Sequence, residues 1–189
     1  VAGAQVIDGR DTGNTLGVGM SWNTEPYRGV DDEFWAFPTM TWRIGRVFVR
    51  EVGVGVQIAG DEHWSLDGFA EWRFDGYDAD DSDFLEGMDD RDGSLDAGLA
   101  YVRRSESLGK FAFSVAADTL DRHGGYQADI TWSKLTRWGL PSARVAYYSS
   151  SLADYYFGVE AAEATLDRPA YAPGSGVISA PPVSVCHQV

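Results

Sequence analysis

The chain has 189 residues, which suffices for one globular domain or one small membrane barrel. Its formal net charge of -14 and the absence of any basic cluster larger than a pair argue against a nucleic-acid partner. The single cysteine, Cys186, excludes an internal disulfide, and with only three histidines no structural zinc site or other cofactor is predicted.

The composition favours a β protein. No apolar run approaches the roughly 18 to 20 residues of a transmembrane helix, and the N-terminus lacks the pattern of a signal peptide. The 22 glycines and the 13% of aromatic residues are typical of strands that face two different environments.

The first predicted strands alternate apolar and small or polar residues with a period of two. They comprise residues 16–22, 34–44 and 46–58. Pro38 lacks a backbone donor and so weakens the second strand or marks a bulge, and glycines interrupt the third.

The clearest strand runs from His63 to Phe74. At about 3.3 Å per residue it is long enough to cross a bilayer at a tilt. One face is apolar and consists of Trp64, Leu66, Gly68, Ala70, Trp72 and Phe74, and the other is mainly polar, with His63, Ser65, Asp67, Glu71 and Arg73 around Phe69.

Further strands are predicted over residues 95–102, 111–116, 126–133 and 142–148, for a total of about eight. Helical periodicity is poor, and the best helical stretch is 159–166. We therefore divide the chain into an N-terminal extension (1–14), a barrel (15–150) and a segment of loop and divergent or truncated sequence (151–189).

Trp and Tyr residues near the strand ends are typical of aromatic girdles at membrane interfaces. A soluble β-barrel also alternates, so the pattern alone leaves a membrane barrel and a soluble barrel both open.

Several segments, in order and spacing, resemble the MltA-interacting protein (MipA/OmpV) family. They are Leu16-Gly-Val-Gly-Met-Ser-Trp with Pro26-Tyr27 and Asp31-Asp32, Phe37-Pro38 with Trp42, Glu71-Trp-Arg-Phe-Asp75-Gly76 with the acidic residues that follow it, Asp121-Arg-His-Gly-Gly-Tyr126, and Asp154-Tyr-Tyr-Phe-Gly-Val159. The resemblance covers most of residues 14 to 175.

The resemblance implies an antiparallel, up-and-down transmembrane β-barrel in the outer membrane of a Gram-negative cell, in contact with lipid and lipopolysaccharide. The family's barrel continues after Pro173-Gly174, so the barrel is expected to be incomplete at the C-terminus here. The family's named role implies a non-enzymatic scaffold that links a lytic transglycosylase to a murein synthase. With eight strands, a first strand that runs outward would place the acidic connection, residues 78–92, in the periplasm.

The acidic connection is the first candidate binding site. Carboxylates at this density can bind Ca²⁺, but the EF-hand register is wrong, and a solvated loop that touches divalent-bridged lipopolysaccharide fits better. The residues concerned are Asp80, Asp81, Asp83, Asp89 and Asp90.

The aromatic run Tyr155, Tyr156 and Phe157 is the second candidate site. It suits either an exposed binding patch or an anchor at the membrane interface, and the anchor is preferred.

His63, Ser65 and Asp67 share one strand face and contain the groups of a nucleophilic site, as in a lipid A deacylase-type barrel. The same face continues into further charged residues, so a polar barrel interior is the better interpretation. His123, beside two glycines, is a possible ligand or base that more simply lies in a turn. A small-solute porin remains the alternative function.

Overall fold

The computed structural model describes residues 14–23, 33–50, 52–80, 82–134, 136 and 142–180. Ten strands and one helix lie in these ranges. They are β1 (Thr15–Asn23), β2 (Glu33–Ile44), β3 (Val47–Arg50), β4 (Gly53–Gly60), β5 (Trp64–Arg73), β6 (Ser94–Ser105), β7 (Gly109–Asp118), β8 (Tyr126–Ser133), β9 (Ser142–Tyr148), α1 (Ser150–Phe157) and β10 (Gly176–Ala180).

All ten strands form one sheet in which each strand pairs antiparallel with its neighbours in sequence. This up-and-down order confirms the predicted fold class. The strand count exceeds the predicted eight because the stretch 46–58 divides into the hairpin β3–β4 and because β10 adds a strand. The order ends at β1 and β10, so the described strands form an open sheet.

The two faces of the sheet differ sharply, and β6 shows the difference well. Leu99 and Tyr101 point outward and are 53% and 40% exposed, whereas Asp96 and Val102 on the other face are 1% and 0% exposed. The outward residues of other strands repeat the pattern of exposed apolar side chains, namely Val54, Val56, Ile58, Phe113, Val115, Ile130 and Val145. The buried face carries polar side chains, namely Gln57, Ser65, Asp67, Ser94, Gln127, Asp129 and Ser133.

This distribution is the inverse of that in a soluble sandwich, where the apolar face is the buried one. Because α1 is the only helix among the described residues and covers little of the polar face, the sheet must curve around that face to bury it. The outward aromatics Trp64 and Trp72 of β5 stand about 26 Å apart along the strand. At a strand tilt of about 35 to 45° this projects to about 19 to 22 Å along the membrane normal, which covers most of the apolar band of about 25 Å on membrane barrels.

The two ends of the sheet also differ. Turns of two to three residues join β2 to β3, β4 to β5 and β6 to β7 at one end, which we call the short-turn end and which also holds the longer connection from β8 to β9. The connections 74–93, 119–125 and 149–175 lie at the opposite, long-loop end, and the short connection from β3 to β4 faces the same way. The first strand runs towards the long-loop end, so the acidic connection lies at the end that β1 reaches. The predicted placement at the end where β1 begins was wrong, because the β3–β4 hairpin adds one reversal of direction.

The helix α1 occupies Ser150–Phe157, so the prediction of helix over 159–166 was wrong. The Ser149 side chain caps the helix by accepting the Leu152 backbone N–H, and the helix buries Leu152 and Tyr156 against the inner face of β9. Residues 159–166 form turns and a bridge instead. No helix in the described part of the chain is long and apolar enough to cross a membrane.

Candidate functional site: a polar lumen and a two-loop cap

Two long connections pack on each other at the long-loop end. The described residues of 74–93, between β5 and β6, contact residues 149–175, between β9 and β10, and we call this unit the cap. Its small apolar core consists of Tyr77, Leu85 and Met88, with Phe84 and Val159 packed against them. The cap is therefore a folded element and not a solvated loop throughout.

A buried ion pair joins the two connections. Arg91 Nη2 donates to Glu163 Oε1 at 2.8 Å and to Oε2 at 3.0 Å, and both side chains are at most 6% exposed. The backbone N–H groups of Asp89 and Glu160 donate to the same carboxylate at 2.9 and 2.8 Å. Burial opposes ionisation of Glu163, but these two N–H groups and the Arg91 guanidinium together hold its pKa below the ordinary value. The Glu163 carboxylate thus accepts hydrogen bonds from both connections and joins them.

Arg168 forms a second link between the same connections. Its guanidinium donates to the backbone carbonyls of Phe84, Glu86 and Glu163, and its side chain stacks near the Phe84 ring. Arg168 is 5% exposed, and its guanidinium supplies hydrogen-bond donors to backbone carbonyls of these irregular segments.

The predicted aromatic site lies inside the cap. Tyr156 is 1% exposed and donates its hydroxyl to the Asp92 carbonyl at 3.2 Å, while the Tyr155 hydroxyl accepts the Asp92 N–H at 3.0 Å. The two tyrosine rings meet edge to face, and Phe157 packs against the α1 cluster. This run joins α1 to the β5–β6 connection and does not form an exposed patch.

The predicted acidic site lies on the outside of the cap. Asp80, Asp83, Asp89 and Asp90 are exposed, and Asp81 falls outside the described residues. Asp90 Oδ1 accepts the Ala79 N–H at 2.7 Å. Within the described part of this stretch, no three carboxylates approach closely enough to hold one metal ion.

Beneath the cap, a hydrogen-bonded network crosses the polar lumen. Arg73 of β5 pairs with Asp96 of β6 at 2.6 Å and with Asp75 at 2.8 Å, and it donates to Gln127 of β8 at 2.8 Å. Gln127 in turn donates to Asp129 at 2.7 Å. A further ion pair joins Asp129 to Arg144 of β9 at 2.6 Å. The network thus links the inner faces of strands from β5 to β9.

His123 belongs to this network. Its Nε2 lies 3.2 Å from Asp96 Oδ1, and its Nδ1 accepts the Gly125 N–H at 3.1 Å, so Nε2 carries the proton and donates. Asp96, Asp118 and His123 are the one group of possible metal ligands that the described residues bring together. Asp118 accepts the N–H groups of His123 and Gly124 and the Ser94 hydroxyl. Both histidine nitrogens and both carboxylates are engaged, so the group fits a hydrogen-bond network and not a metal centre.

The candidate nucleophilic site is not assembled. Ser65 Oγ donates to Asp67 Oδ2 at 3.0 Å, and both residues are 0% exposed on the lumen face. His63 stands in the short turn before β5 with a 62% exposed side chain, and its Nδ1 lies 3.7 Å from Glu62. The serine therefore has a carboxylate neighbour but no hydrogen bond to the histidine that would act as base.

Comparison with known proteins agrees with this architecture. The family profile of MltA-interacting protein MipA matches residues 16–185. The putative outer membrane protein YiaT of Escherichia coli K12 is 30% identical over 156 residues, which are 79% of this chain and 63% of that protein. The MltA-interacting protein of the same organism is 28% identical over 79% of this chain and 62% of its own length.

The outer membrane protein OmpV of Vibrio cholerae is 34% identical over 103 residues, which are 52% of this chain and 39% of that protein. The chain thus spans under two thirds of the length of these relatives. No solved structure matches. With its lipid-compatible outer face, polar lumen and up-and-down sheet, the chain belongs to the MltA-interacting protein (MipA) family and is a protein of the Gram-negative outer membrane.

Proposed function

We propose that this protein is a non-enzymatic scaffold that docks peptidoglycan-remodelling enzymes, namely a lytic transglycosylase and a murein synthase, at the outer membrane. The observation that carries the proposal is the lumen network from Arg73 to Arg144, in which Arg73, Asp96, Asp129 and Arg144 bond to one another directly or through Gln127. The name of one relative, the MltA-interacting protein, adds support.

The same network argues against the two alternatives. A porin needs a water-filled passage, whereas here side chains of β5 and β8 meet across the polar face beneath a folded cap. A deacylase needs a serine activated by a base, and Ser65 hydrogen-bonds to a buried carboxylate instead. Both observations support recognition through an external surface.

Outer-membrane barrels have short turns on the periplasmic side and longer loops on the extracellular side. This rule places the short-turn end in the periplasm, where peptidoglycan enzymes work. The docking surface is then the row of turns at that end, which includes Gly45-Arg46, Asp61-Glu62-His63 and Glu106-Ser107-Leu108.

The same rule places the cap outside the cell. Its exposed carboxylates Asp80, Asp83, Asp89 and Asp90, together with Asp81, would then lie near the lipopolysaccharide headgroups. Divalent cations would bridge these carboxylates to the lipopolysaccharide phosphates, a contact that holds the barrel in the outer leaflet and leaves the docking surface free.

Biolayer interferometry on the protein folded in detergent tests the scaffold. In a Cys186→Ser background, Glu106→Cys places a thiol in a short turn and Asp83→Cys places one in the cap, and both native side chains are exposed. A lytic transglycosylase and a murein synthase are expected to bind the unlabelled protein saturably. A bulky polyethylene-glycol maleimide should abolish binding at position 106 and leave it unchanged at position 83.

Failure of both enzymes to bind the unlabelled protein would refute the scaffold. Loss of binding only on labelling at position 83 would refute the assignment of the docking surface to the short-turn end.

A further inference from the structure

A small cavity opens at the short-turn end, between the β2–β3 turn and the end of β4. Its volume is about 180 Å³, and its walls come from Arg46, Gln57, Ala59 and Gly60. The lining is almost entirely polar. Neither the cap nor the lumen network from Arg73 to Arg144 reaches it.

The backbone shapes this cavity through an irregularity in β4. The pairing of β4 with β5 shifts register between Gln57 and Ala59, which is a β-bulge, a feature that redirects side chains and often borders functional sites. Gly60 follows with a φ of 140°, and a Cβ there would lie 2.4 Å from the Trp64 carbonyl oxygen, so only glycine fits. The Gln57 N–H donates to the Arg46 carbonyl at 2.8 Å and fixes the turn against the strand.

The polar groups at the cavity are arranged as donors. Gln57 points to the lumen side, is 9% exposed, and accepts from Arg43 Nη2 through its Oε1 at 2.7 Å. The side-chain NH₂ of Gln57 therefore faces the cavity as a donor. Arg43 Nε is held by the Gly45 carbonyl at 3.0 Å, and its buried Nη1 has no partner among the described residues.

Two arginines, Arg43 and Arg46, lie at this cavity in a protein whose net charge is -14. Elsewhere in the described part of the chain, Arg73, Arg91, Arg122 and Arg144 each pair with a carboxylate, whereas Arg168 donates to backbone carbonyls. Arg43 bonds only to an amide and a carbonyl oxygen, and within the described ranges Arg46 has no carboxylate partner. Two guanidinium groups and one amide donor thus lie at the cavity, and the buried Asp67 carboxylate opposite Gln57 in the β4–β5 pairing accepts the Ser65 hydroxyl.

We infer that this cavity binds a small oxyanion, either a carboxylate or a phosphate group. Arg46 and the Gln57 amide donate to the anion, and Arg43 positions Gln57 from behind. Guanidinium groups suit this task because their N–H groups match the oxygens of carboxylate and phosphate in charge and in geometry. The ligand is either a free anion that enters from the short-turn end or the phosphate of a lipid headgroup.

Isothermal titration calorimetry with inorganic phosphate, on the protein folded in dodecyl maltoside, tests the site. Arg46→Gln and Gln57→Met should each weaken phosphate binding at least about tenfold, because each removes a donor to the anion. Arg103→Gln is the matched control, since Arg103 is an exposed arginine on the outward face of β6 at the same end. Heat-modifiability on a detergent gel checks that each variant folds.

Absence of phosphate binding to the unchanged protein, or equal weakening by Arg46→Gln and Arg103→Gln, would overturn the site. A repeat in nanodiscs with and without phosphatidylglycerol identifies the source of the anion. If phosphatidylglycerol competes with phosphate in the unchanged protein, the headgroup is the ligand. If phosphate binding is the same in both kinds of disc, the ligand is a free anion.

Discussion

The buried ion pair of the cap allows a quantitative prediction for Glu163→Gln. The substitution keeps the size of the side chain but removes the negative charge to which Arg91 and two backbone N–H groups donate hydrogen bonds. One side-chain oxygen becomes an NH₂ group that faces a donor, and Arg91 stays buried without its carboxylate. Breaking one partner of such a pair costs about 3 to 5 kcal/mol. A cost of about 3 kcal/mol raises the population of the open cap by about two orders of magnitude.

Hydrogen exchange read by mass spectrometry measures this directly. Amides of the cap, such as those of Tyr77, Asp89 and Glu160, should lose protection in Glu163→Gln, while the amides of β6 and β7 should keep it. Asp167→Asn is the control, because it neutralises an exposed carboxylate of the same cap. Unchanged cap protection in Glu163→Gln would refute the view that this pair holds the two connections together.

Three further predictions concern the pH response, the outer face and the bulge. The pKa of Glu163 in the folded state lies below its value in the unfolded state, so its contribution to cap closure is complete above the unfolded pKa and is lost as the pH falls through the folded pKa. Hydrogen exchange of the cap amides, corrected for the pH dependence of the intrinsic exchange rate, should therefore show the cap opening in acid. Cap protection that does not change with pH would contradict this. Leu99→Arg places a charge at the middle of the lipid-facing side and should make the free energy of folding into the bilayer less favourable by about 2 to 4 kcal/mol, measured from the folded fraction in lipid vesicles. Leu166→Arg, at a fully exposed position of the cap, should leave that folded fraction unchanged. Gly60→Ala should lower the free energy of unfolding in urea by more than Gly174→Ala, because both glycines have a positive φ but only at Gly60 does a Cβ meet a backbone carbonyl. Equal effects would contradict the close approach at Gly60.

The strands of the barrel wall were predictable from the sequence because alternation is a local property. The stretch 63–74 shows one apolar and one mainly polar face, and the structure places the apolar face outward. The β3–β4 hairpin escaped prediction because the sequence between its two strands lacks the Asn-Gly or Asp-Gly pair that usually marks a hairpin turn. One missed reversal was enough to place the acidic connection at the wrong end.

The cap could not be predicted in the same way. Its helix contains Tyr155-Tyr156-Phe157, residues that favour strands, and it forms because Ser149 caps it and because its buried face packs on β9. The Arg91–Glu163 pair joins positions 72 residues apart, and periodicity says nothing about which of many acidic residues meets which arginine. Exposure of the acidic residues near Asp80 and Asp90 was predictable from their density, but the burial of Glu163 was not.

The separation of 72 residues between Arg91 and Glu163 also fixes when the cap can close. Bringing two points so far apart along an unfolded chain together costs about 4 kcal/mol in entropy, whereas pairing of β6 through β9 already holds the two connections at the same rim. Cap closure is therefore a late event that follows completion of this part of the wall. Until then, neither connection is protected by the other, so resistance of the cap to an added protease reports that this part of the wall has formed.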